Sequence, residues 1–369
     1  MNTAKKVLFT SHTANFQKFN RPFMRMLKEQ GWEVHYASAG EEEILDTDQA
    51  FVVPFERSPF KLGNVKAYFA LKKIIDRGKY DMIHTHTPMG SVVTRLAARA
   101  SRKKGTRVLY TAHGFHFFKG APLLNWLTYY PIEKYMARHT DTLITINNED
   151  FERAKAKFKT RVEYVPGVGI DPKKFDIKMS KADKSKLRKS LGLSDTDFVL
   201  LYPAELNKNK DQSMLIDVME RATAKYKDIH LLLPGVDSLD GYHRRIINKK
   251  GLAEKVHLLG YREDIPQLLK ITNLSVSTSR REGLPVNIME AKYIGVPIIV
   301  TDCRGNRDLV EYDECEAVVA PGDVSAFQEQ ITLSYEKFIT NKGAALAARS
   351  NKYLLDRVKL RMNEVYADA

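Results

Sequence analysis

The chain has 369 residues, of which 43% are hydrophobic and 28% are charged, and its net charge is +14. One hydrophobic core rarely serves more than about 250–300 residues, so two domains are expected. No apolar run approaches the ~18 residues of a membrane-spanning helix, and two cysteines cannot form a disulfide framework. These features exclude a membrane-spanning protein and a disulfide-rich secreted domain. The apolar run at residues 7–9 is also too short for a signal peptide, so a cytoplasmic location is expected.

The positive charge is concentrated in the first half of the chain. Residues 1–170 contain 27 Lys and Arg against 16 Asp and Glu, a net of +11, whereas the remaining residues contain 32 against 29, a net of +3. A basic half predicts an acidic surface as its partner. No nucleic acid is expected, because the sequence has neither zinc-ligand spacing nor an aromatic RNA-binding signature. An anionic membrane surface is the expected partner, and a basic face that is merely solvated is the alternative.

Strand and helix patterns alternate through the first half. Strands are predicted at residues 6–10, 32–37, 49–54, 107–112 and 141–148, and residues 81–88 are predicted to be a strand that runs into a loop. Helices are predicted up to about residue 30, at 64–77 and at 90–101. This alternation predicts a doubly wound α/β domain that binds ligands at the carboxyl ends of parallel strands. After the first strand, His12, Thr13 and Asn15 are the side chains placed to contact a ligand. The helix at 64–77 is predicted to pack its apolar side chains on the core: Val65, Phe69, Leu71, Ile74 and Ile75.

Histidines accompany two of these strands. His84 and His86 form a His-x-His pair, but without carboxylate or cysteine support they are predicted to be polar loop residues, and no metal is expected. The strand at 107–112 delivers His113 to its carboxyl end, beside Gly114. A ligand-binding histidine and a satisfied structural histidine are both consistent with this position.

The segment at residues 115–138 is rich in aromatic and basic side chains. Six aromatic residues occur between Phe115 and Tyr130, with Lys119, Lys134 and Arg138 close by. Aromatic rings with cationic neighbours suit a membrane interface, where one side of each ring is buried and the other is wet. A loop and helix packed against the body of the domain is the alternative.

The most informative stretch lies in the second half, at residues 274–291. A short alternating run at 274–278 predicts a strand, and a helix is predicted to begin near Pro285, where a missing N–H costs least. Gly283 allows the backbone between them to approach a ligand closely. Such a strand–glycine–helix junction directs unpaired amides and the positive end of a helix dipole at one point, which predicts a phosphate-binding site. Glu282 and Glu290 flank the junction as acceptors for sugar or ribose hydroxyls.

The string from Ser279 to Asp302 resembles the E-x7-E signature of the retaining, nucleotide-sugar-dependent glycosyltransferases of family four. It runs S-R-R-E-G-L-P-V-N-I-M-E-A and continues G-V-P-I-I-V-T-D. The resemblance implies an α/β GT-B fold, with two Rossmann-like, doubly wound parallel-sheet domains facing across a cleft. The glycine- and proline-rich stretch at 162–172 is similar to the linker of the family. The implied domains are an N-terminal acceptor domain at 1–165, joined by a C-terminal helix at about 350–369, and a nucleotide-sugar domain at 166–349.

The resemblance also implies roles for particular residues. His113 is expected to face the donor sugar across the cleft, and Glu282 to orient it. Lys210 and the backbone at 283–285 are expected to take the diphosphate charge, with no metal and no cofactor. Further substrate-binding residues are expected at these positions: Thr13, Asn15, Lys208, Gly235, Arg262, Gly283, Leu284, Pro285 and Glu290.

The chain departs from the family at three places. The first loop lacks the usual glycine pair, so its contacts are expected from side chains. Glu205 stands where an arginine is usual, so Lys208 is expected to share the phosphate. Asn306 and Asp308 occupy a stretch that is usually glycine-proline-glutamate.

The expected activity is retaining transfer of a sugar from a nucleotide-sugar donor, a UDP-sugar such as a UDP-N-acetylhexosamine. The expected acceptor is an undecaprenyl-diphosphate-linked glycan in capsule or exopolysaccharide synthesis. The enzyme is then expected to be peripheral on the inner face of the plasma membrane. Three alternatives remain open: a soluble transferase acting on a small sugar, a GT-B nucleotide-sugar epimerase, and a non-enzymatic binder of anionic polymers.

Overall fold

The computed structural model describes residues 4–58, 61–311, 316–340 and 349–368. It divides into two compact units, the first comprising Met1–Val168 with Asp356–Ala369 and the second comprising Gly169–Leu355. In the described ranges, no helix is both long and apolar enough to cross a bilayer. Cys303 is buried as a free thiol, and Cys315 lies outside the described residues.

Strands and helices alternate along the chain and are numbered in chain order. The strands are β1 Lys6–Thr10, β2 Glu33–Ser38, β3 Gln49–Val52, β4 Met82–His86, β5 Arg107–Ala112, β6 Thr142–Thr145, β7 Arg161–Tyr164, β8 Phe198–Leu201, β9 Ile229–Pro234, β10 Val256–Gly260, β11 Leu274–Ser277, β12 Ile298–Thr301 and β13 Glu316–Val319. The helices are α1 Gln17–Glu29, α2 Gly63–Gly78, α3 Pro88–Ala97, α4 Arg99–Arg102, α5 Leu123–Met136, α6 Asn148–Lys157, α7 Lys181–Ser190, α8 Gln212–Lys225, α9 Tyr242–Lys249, α10 Ile265–Lys270, α11 Val286–Ile294, α12 Arg304–Arg307, α13 Val324–Thr340 and α14 Leu355–Asp368.

Each unit is built on one parallel sheet. The first sheet has the order β3-β2-β1-β4-β5-β6-β7, and the second has the order β10-β9-β8-β11-β12-β13. In both, the strand order reverses direction once, between β1 and β4 and between β8 and β11. Ligands of such sheets bind outside the carboxyl ends of the strands at this reversal. The two predicted doubly wound parallel-sheet domains are therefore confirmed.

Different helices cover the two faces of the first sheet, as the packing of β5 demonstrates. Val108 and Tyr110 lie two residues apart, so their side chains point to the same face. Val108 packs with α2 and α3, and Tyr110 packs with α5 and α6. Leu109 points to the opposite face and packs with α1 and α14. Hence α2, α3, α5 and α6 cover one face, and α1 and α14 cover the other.

The second sheet is buried in the same way. Leu231 on β9 and Val276 on β11 pack with Met219 on α8 and Phe327 on α13 in one continuous core. Strands β8 and β11 are buried on both faces, but only β8 is a continuous apolar run, whereas β11 alternates apolar residues with buried serines. The rigid sheet fixes the positions of the loops at its carboxyl edge.

The predicted helix at 64–77 is confirmed as α2, but its predicted packing face was wrong in part. Leu71 and Ile75 are buried against the sheet, whereas Val65 is 55% exposed and Phe69 is 64% exposed. The buried stripe includes Ala67, which lies on the same side of the helix as Leu71. The sequence offered two apolar stripes on one helix, and only the tertiary packing selects between them.

Candidate active site

The loop after β11 is tied to the loop after β8 by hydrogen bonds. The hydroxyl of Thr278 donates to the carbonyl oxygens of Lys210 and Asp211, at 3.0 and 2.9 Å. The amide of Asn209 donates to the carbonyl of Arg281 at 3.0 Å. The amide N–H of Arg280 donates to the carbonyl of Asn209 at 2.8 Å. These bonds hold two loops together at the reversal point of the second sheet, where a ligand is expected.

Lys210 and Glu282 form an ion pair at this point. Lys210 Nζ lies 2.5 Å from Glu282 Oε1, and the two side chains are only 22% and 11% exposed. The hydroxyl of Ser279 also donates to Glu282 Oε1, at 2.6 Å, and the hydroxyl of Tyr202 lies 2.7 Å from Ser279 Oγ. The structure therefore brings together two residues that sequence reasoning placed in one site, and it adds Ser279 and Tyr202 as supports.

The backbone between β11 and α11 supplies the donors of this site. Pro285 is the N-cap of α11 and has no N–H, so it cannot contribute the amide that was expected of the 283–285 backbone. The amides of Gly283, Leu284 and Val286 lie before or at the helix start, where N–H groups have no intrahelical acceptor. The amides of Asn287 and Ile288 also precede the first intrahelical bond, from Met289 N–H to the Pro285 carbonyl, so the donors available to an anion extend to Ile288 and exclude Pro285.

Helix α12 supports the glycine turn from behind. A Cβ added at Gly305 would lie 2.3 Å from the carbonyl oxygen of Gly283, so only glycine allows this approach. Arg304 is buried and donates from Nε to the carbonyl of Glu282 at 2.9 Å. Asn306, one of the non-standard positions, is fully buried and donates to the carbonyl of Thr301 at 3.1 Å. This stretch braces the turn.

Glu290 lies within α11 and is chemically distinct from Glu282. Burial raises the pKa of Glu290 to about 7, and the nearby Lys174 opposes that rise. The carboxyl group is therefore half protonated near neutral pH. A ligand that donates hydrogen bonds to it would favour the ionised form.

Lys208 and Glu205 do not contact the ion pair. Lys208 lines a groove of about 480 Å³ with Tyr242, Arg245 and Arg280. The carboxylate of Glu205 accepts a hydrogen bond from the hydroxyl of Ser238, and its backbone carbonyl accepts one from Gln212 at 3.0 Å. Glu205 is therefore held toward the 238 loop. The expected sharing of phosphate by Lys208 stays a prediction.

Gly235 and Arg262 lie at the ends of neighbouring strands β9 and β10. A Cβ at Gly235 would be 1.8 Å from the carbonyl oxygen of Ala204, so this glycine is required for loop packing whether or not it touches a ligand. Arg262 donates from Nε and Nη2 to the two carboxylate oxygens of Asp264, at 2.8 and 2.6 Å. A ligand phosphate would have to compete with that carboxylate.

In the first unit, His113 lies at the carboxyl end of β5 and is joined to His86. His86 Nδ1 is 3.1 Å from His113 Nε2, and the edge of His113 packs on Phe16 with ring centroids 4.7 Å apart. Burial lowers the pKa of His113 to about 4, so its ring is neutral at physiological pH. Because His113 Nε2 is hydrogen-bonded to His86, the nitrogen of His113 that remains for a ligand is Nδ1.

His84 and His86 are buried on β4, so their assignment to a polar loop was wrong. The Nδ1 atom of His84 is 2.9 Å from the hydroxyl of Tyr366, and its Nε2 is 2.8 Å from Thr111 Oγ1. Burial lowers the pKa of both histidines, and it lowers the pKa of His84 to about 3. In the described part of the chain no group of three His, Cys, Asp or Glu side chains could hold a metal.

The loop after β1 meets the end of β4 at Thr87. The amide of His12 donates to Thr87 Oγ1 at 3.1 Å. Thr87 has φ +66°, an outlier for a β-branched residue, and such strain concentrates at ligand sites. Thr13 accepts a hydrogen bond from Ser11 through its carbonyl, and the side chain of Asn15 is exposed. The structure places these residues at the edge of the first sheet, as expected, and their contacts to a ligand stay predictions.

Sequence reasoning did not identify several supporting residues. They are His86, Thr87, Tyr202, Asn209, Thr278, Ser279, Arg304 and Gly305. A strained threonine or a buried arginine leaves no mark in a single sequence. Ser279 was visible as part of the recognised string, but its contact with Glu282 was not.

Comparison with known proteins identifies the class of this site. Residues 183–359 match the family model described as "Glycosyl transferases group 1", and residues 6–147 match "Glycosyl transferase 4-like". A Bacillus subtilis protein named "Putative glycosyltransferase EpsD" is 40% identical over 336 residues, covering 90% of this chain and 88% of that protein. The chain belongs to the glycosyltransferase family that these models describe.

A second relative and a solved structure add detail. The Escherichia coli "UDP-Gal:alpha-D-GlcNAc-diphosphoundecaprenol alpha-1,3-galactosyltransferase" is 29% identical over 294 residues, covering 76% of this chain and 73% of that protein. The crystal structure of Anabaena Alr3699/HepE in complex with UDP and glucose matches with a TM-score of 0.80 at 20% identity, covering 99% of this chain and all of that one. The predicted GT-B fold class is confirmed by this similarity.

Proposed function

We propose that the protein transfers a sugar, with retention of anomeric configuration, from a UDP-sugar to an undecaprenyl-diphosphate-linked glycan during capsule or exopolysaccharide assembly. The contact between Lys210 and Glu282 carries the proposal, because it places a cation beside free amides and a carboxylate. The cation and the amides can bind a diphosphate, and the carboxylate can accept a hydrogen bond from a sugar hydroxyl.

The acceptor class is taken from the relatives. The name of the E. coli enzyme records a diphosphoundecaprenol-linked acceptor and an α-1,3 product made from UDP-galactose. UDP-galactose is itself α-linked, so that relative retains configuration. The structural neighbour binds UDP and glucose, which favours a uridine nucleotide here.

The proposed step breaks the bond between the anomeric carbon and the β-phosphate oxygen. Lys210 and the amides of Gly283 and Leu284 stabilise the negative charge that develops on UDP. The acceptor hydroxyl oxygen bonds to the anomeric carbon on the same face, and its proton passes to the departing phosphate oxygen. His113 and Glu282 orient the sugar, and the Glu290 carboxylate accepts hydrogen bonds from the ribose hydroxyls. No metal takes part in this scheme.

The test is mass spectrometry of products after incubation with a panel of UDP-sugars, including UDP-N-acetylhexosamines, and a bacterial membrane lipid extract. We expect one donor to be incorporated into a lipid-diphosphate glycan, and the product to be lost in Glu282→Ala. Glu205→Ala is a matched control, because its exposed carboxylate binds Ser238 instead of Lys210. Recovery of every donor intact would overturn the proposal, and conversion of a donor to its epimer would make the protein an epimerase.

A further inference from the structure

We propose that the first unit docks on an anionic phospholipid bilayer through one surface formed by the N-terminal halves of α2 and α5, here called the α2–α5 surface. Its six apolar side chains are 55% to 80% exposed: Leu62, Val65, Phe69, Leu123, Leu124 and Leu127. Isolated exposed apolar residues are ordinary, but six concentrated on the two helices that flank α3 indicate an interaction site. The inference rests on the proposed function in one respect: the lipid-linked acceptor glycan is presented at the surface of a bilayer.

On α2 the exposed stripe lies opposite the core. Leu62, Val65 and Phe69 follow helical spacing along one side, whereas Leu71 and Ile75 are buried on the other. The helix is therefore apolar on two sides. Packing inside the first unit accounts for only one of them.

On α5 the aromatic residues point inward and the leucines point outward. Trp126, Tyr129 and Tyr130 pack against the core around Phe117. Stacking of His116 on Tyr129, with centroids 4.6 Å apart, fixes the preceding loop on the same inner side. The aromatic segment that suggested a membrane interface from sequence thus serves packing, and the exposed leucines at 123, 124 and 127 are the side chains free to insert.

The two exposed stripes share one face and one edge of the first sheet. Helices α2, α3 and α5 cover the same face, and each begins at the carboxyl edge because each follows a parallel strand. Helix α3 lies between the other two: it shares a core with α2. It also binds α5 through a buried ion pair, with Arg95 Nη2 2.9 Å from Glu133 Oε2. The stripes therefore belong to one surface at the end of the sheet where His113 lies.

The charge around this surface favours an anionic bilayer over an uncharged partner. Five exposed lysines lie on or beside the two helices: Lys61, Lys66, Lys73, Lys119 and Lys134. Each helix contains a single acidic residue, and both of these are already paired, Asp76 with Lys72 and Glu133 with Arg95. Apolar side chains within a lysine-rich, acid-poor surface are typical of interfacial membrane binding.

The test is flotation of the full chain with vesicles of phosphatidylglycerol and phosphatidylcholine in equal parts, and with vesicles of phosphatidylcholine alone. The variants are Leu123→Gln with Leu124→Gln and Leu127→Gln, and separately Val65→Gln with Phe69→Gln. Glutamine keeps helix propensity, and all five positions are exposed, so folding is preserved. Leu360→Gln is the matched control: it is 68% exposed, as Leu124 is, but lies on α14, which covers the opposite face.

We expect the wild type to float with anionic vesicles and not with phosphatidylcholine alone, and high salt to weaken its binding. Each leucine that inserts fully contributes about tenfold to partitioning, so the triple variant should lose at least about 100-fold and the α2 variant about tenfold. Leu360→Gln should float as the wild type does. Failure of the wild type to float, or equal binding by the triple variant, would overturn the proposal. So would a self-association that these substitutions abolish without any effect on flotation.

Transfer to a water-soluble, short-chain diphosphate acceptor separates this proposal from the proposed function. The docking variants should keep that activity within about twofold of wild type, because no substituted residue belongs to the Lys210 or His113 sites. Transfer without flotation would refute docking alone. Flotation without transfer would refute the proposed function alone.

Discussion

The two units build chemically different sites at the same place on similar sheets. At the edge of the second sheet, Lys210 and Glu282 form an ion pair that a diphosphate can open and replace. At the edge of the first sheet, burial lowers the pKa of His113 to about 4, and its partner His86 is also kept neutral. The topology determines where each ligand site lies, but the side chains determine whether it offers charge or neutral hydrogen bonds.

The excess charge of the first half does not reach the small buried cavity beside His113. The described residues that line the pocket beside His113 include no lysine, arginine or carboxylate. Six of the 16 lysines in this half lie on α2 and α5 or in the segments just before them: Lys61, Lys66, Lys72, Lys73, Lys119 and Lys134. The net charge of +11 over residues 1–170 is therefore carried outside this cavity.

The strongest test of the charged site is Lys210→Ala. We expect kcat/KM for transfer to fall about 100- to 1000-fold, because one preorganised donor to the developing charge is removed. Lys210→Arg should restore part of the activity, since it keeps the charge with a different geometry. Loss of UDP-sugar binding, measured by calorimetry, should accompany the kinetic loss. Unchanged turnover in Lys210→Ala would remove the ion pair from the mechanism.

A second test concerns the backbone that supports the charged site. Gly305→Ala places a Cβ 2.3 Å from the Gly283 carbonyl, so we expect a loss of about 1–3 kcal/mol in the free energy of unfolding and weaker UDP binding. Urea denaturation measures the first quantity and calorimetry the second. Gly63→Ala is the control, because its Cβ chiefly meets the flexible Glu56 side chain in the other unit. If UDP affinity survives in Gly305→Ala, the glycine turn does not position the phosphate.

The third test uses pH. Because burial raises the pKa of Glu290 from 4.5 to about 7, the carboxylate proposed to accept hydrogen bonds from ribose hydroxyls is fully ionised only above neutral pH. We expect the affinity for UDP-glucose to rise about tenfold between pH 6 and pH 8. The native state holds this proton more tightly than the unfolded chain does, so the contribution of Glu290 to stability falls as pH rises from 4.5 through 7.

Glu290→Gln provides the control for that profile. Glutamine cannot titrate, so its binding curve should lose the dependence that belongs to this carboxyl group. A wild-type profile that is identical to the Glu290→Gln profile would show that Glu290 does not bind the nucleotide in its ionised form.

The smallest expected effect concerns the neutral site. His86→Phe removes one hydrogen bond to His113, and we expect kcat/KM to fall about fivefold, the equivalent of one neutral hydrogen bond. The free energy of unfolding should change little. His86 Nε2 is buried without a hydrogen-bond partner among the described residues, so its replacement also removes an unsatisfied polar atom. His86→Gln, which can still bond to His113, should recover activity. Equal losses in His86→Phe and His86→Gln would indicate a packing role only.

The position of the main site could be predicted because local sequence determines it. The strand, Gly283 and the helix that begins after Pro285 are adjacent in the chain, and helix ends expose amides wherever such a junction occurs. The position of His113 at the end of β5 could be predicted for the same reason, since it directly follows a buried strand. Near neighbours in sequence constrain one another through hydrogen bonds and dihedral angles alone.

Tertiary structure decided what depends on distant residues. Lys210 and Glu282 are 72 positions apart, and His86 and His113 are 27 apart, so their contacts follow from strand order. Phe69 and Leu71 are similarly hydrophobic, yet packing in the core of the first unit buries only Leu71. The sequence by itself determined the elements, their alternation and the strand–glycine–helix junction for which phosphate binding is predicted. Which apolar stripe is buried, and which charges and imidazoles meet, depended on packing between segments that no local pattern encodes.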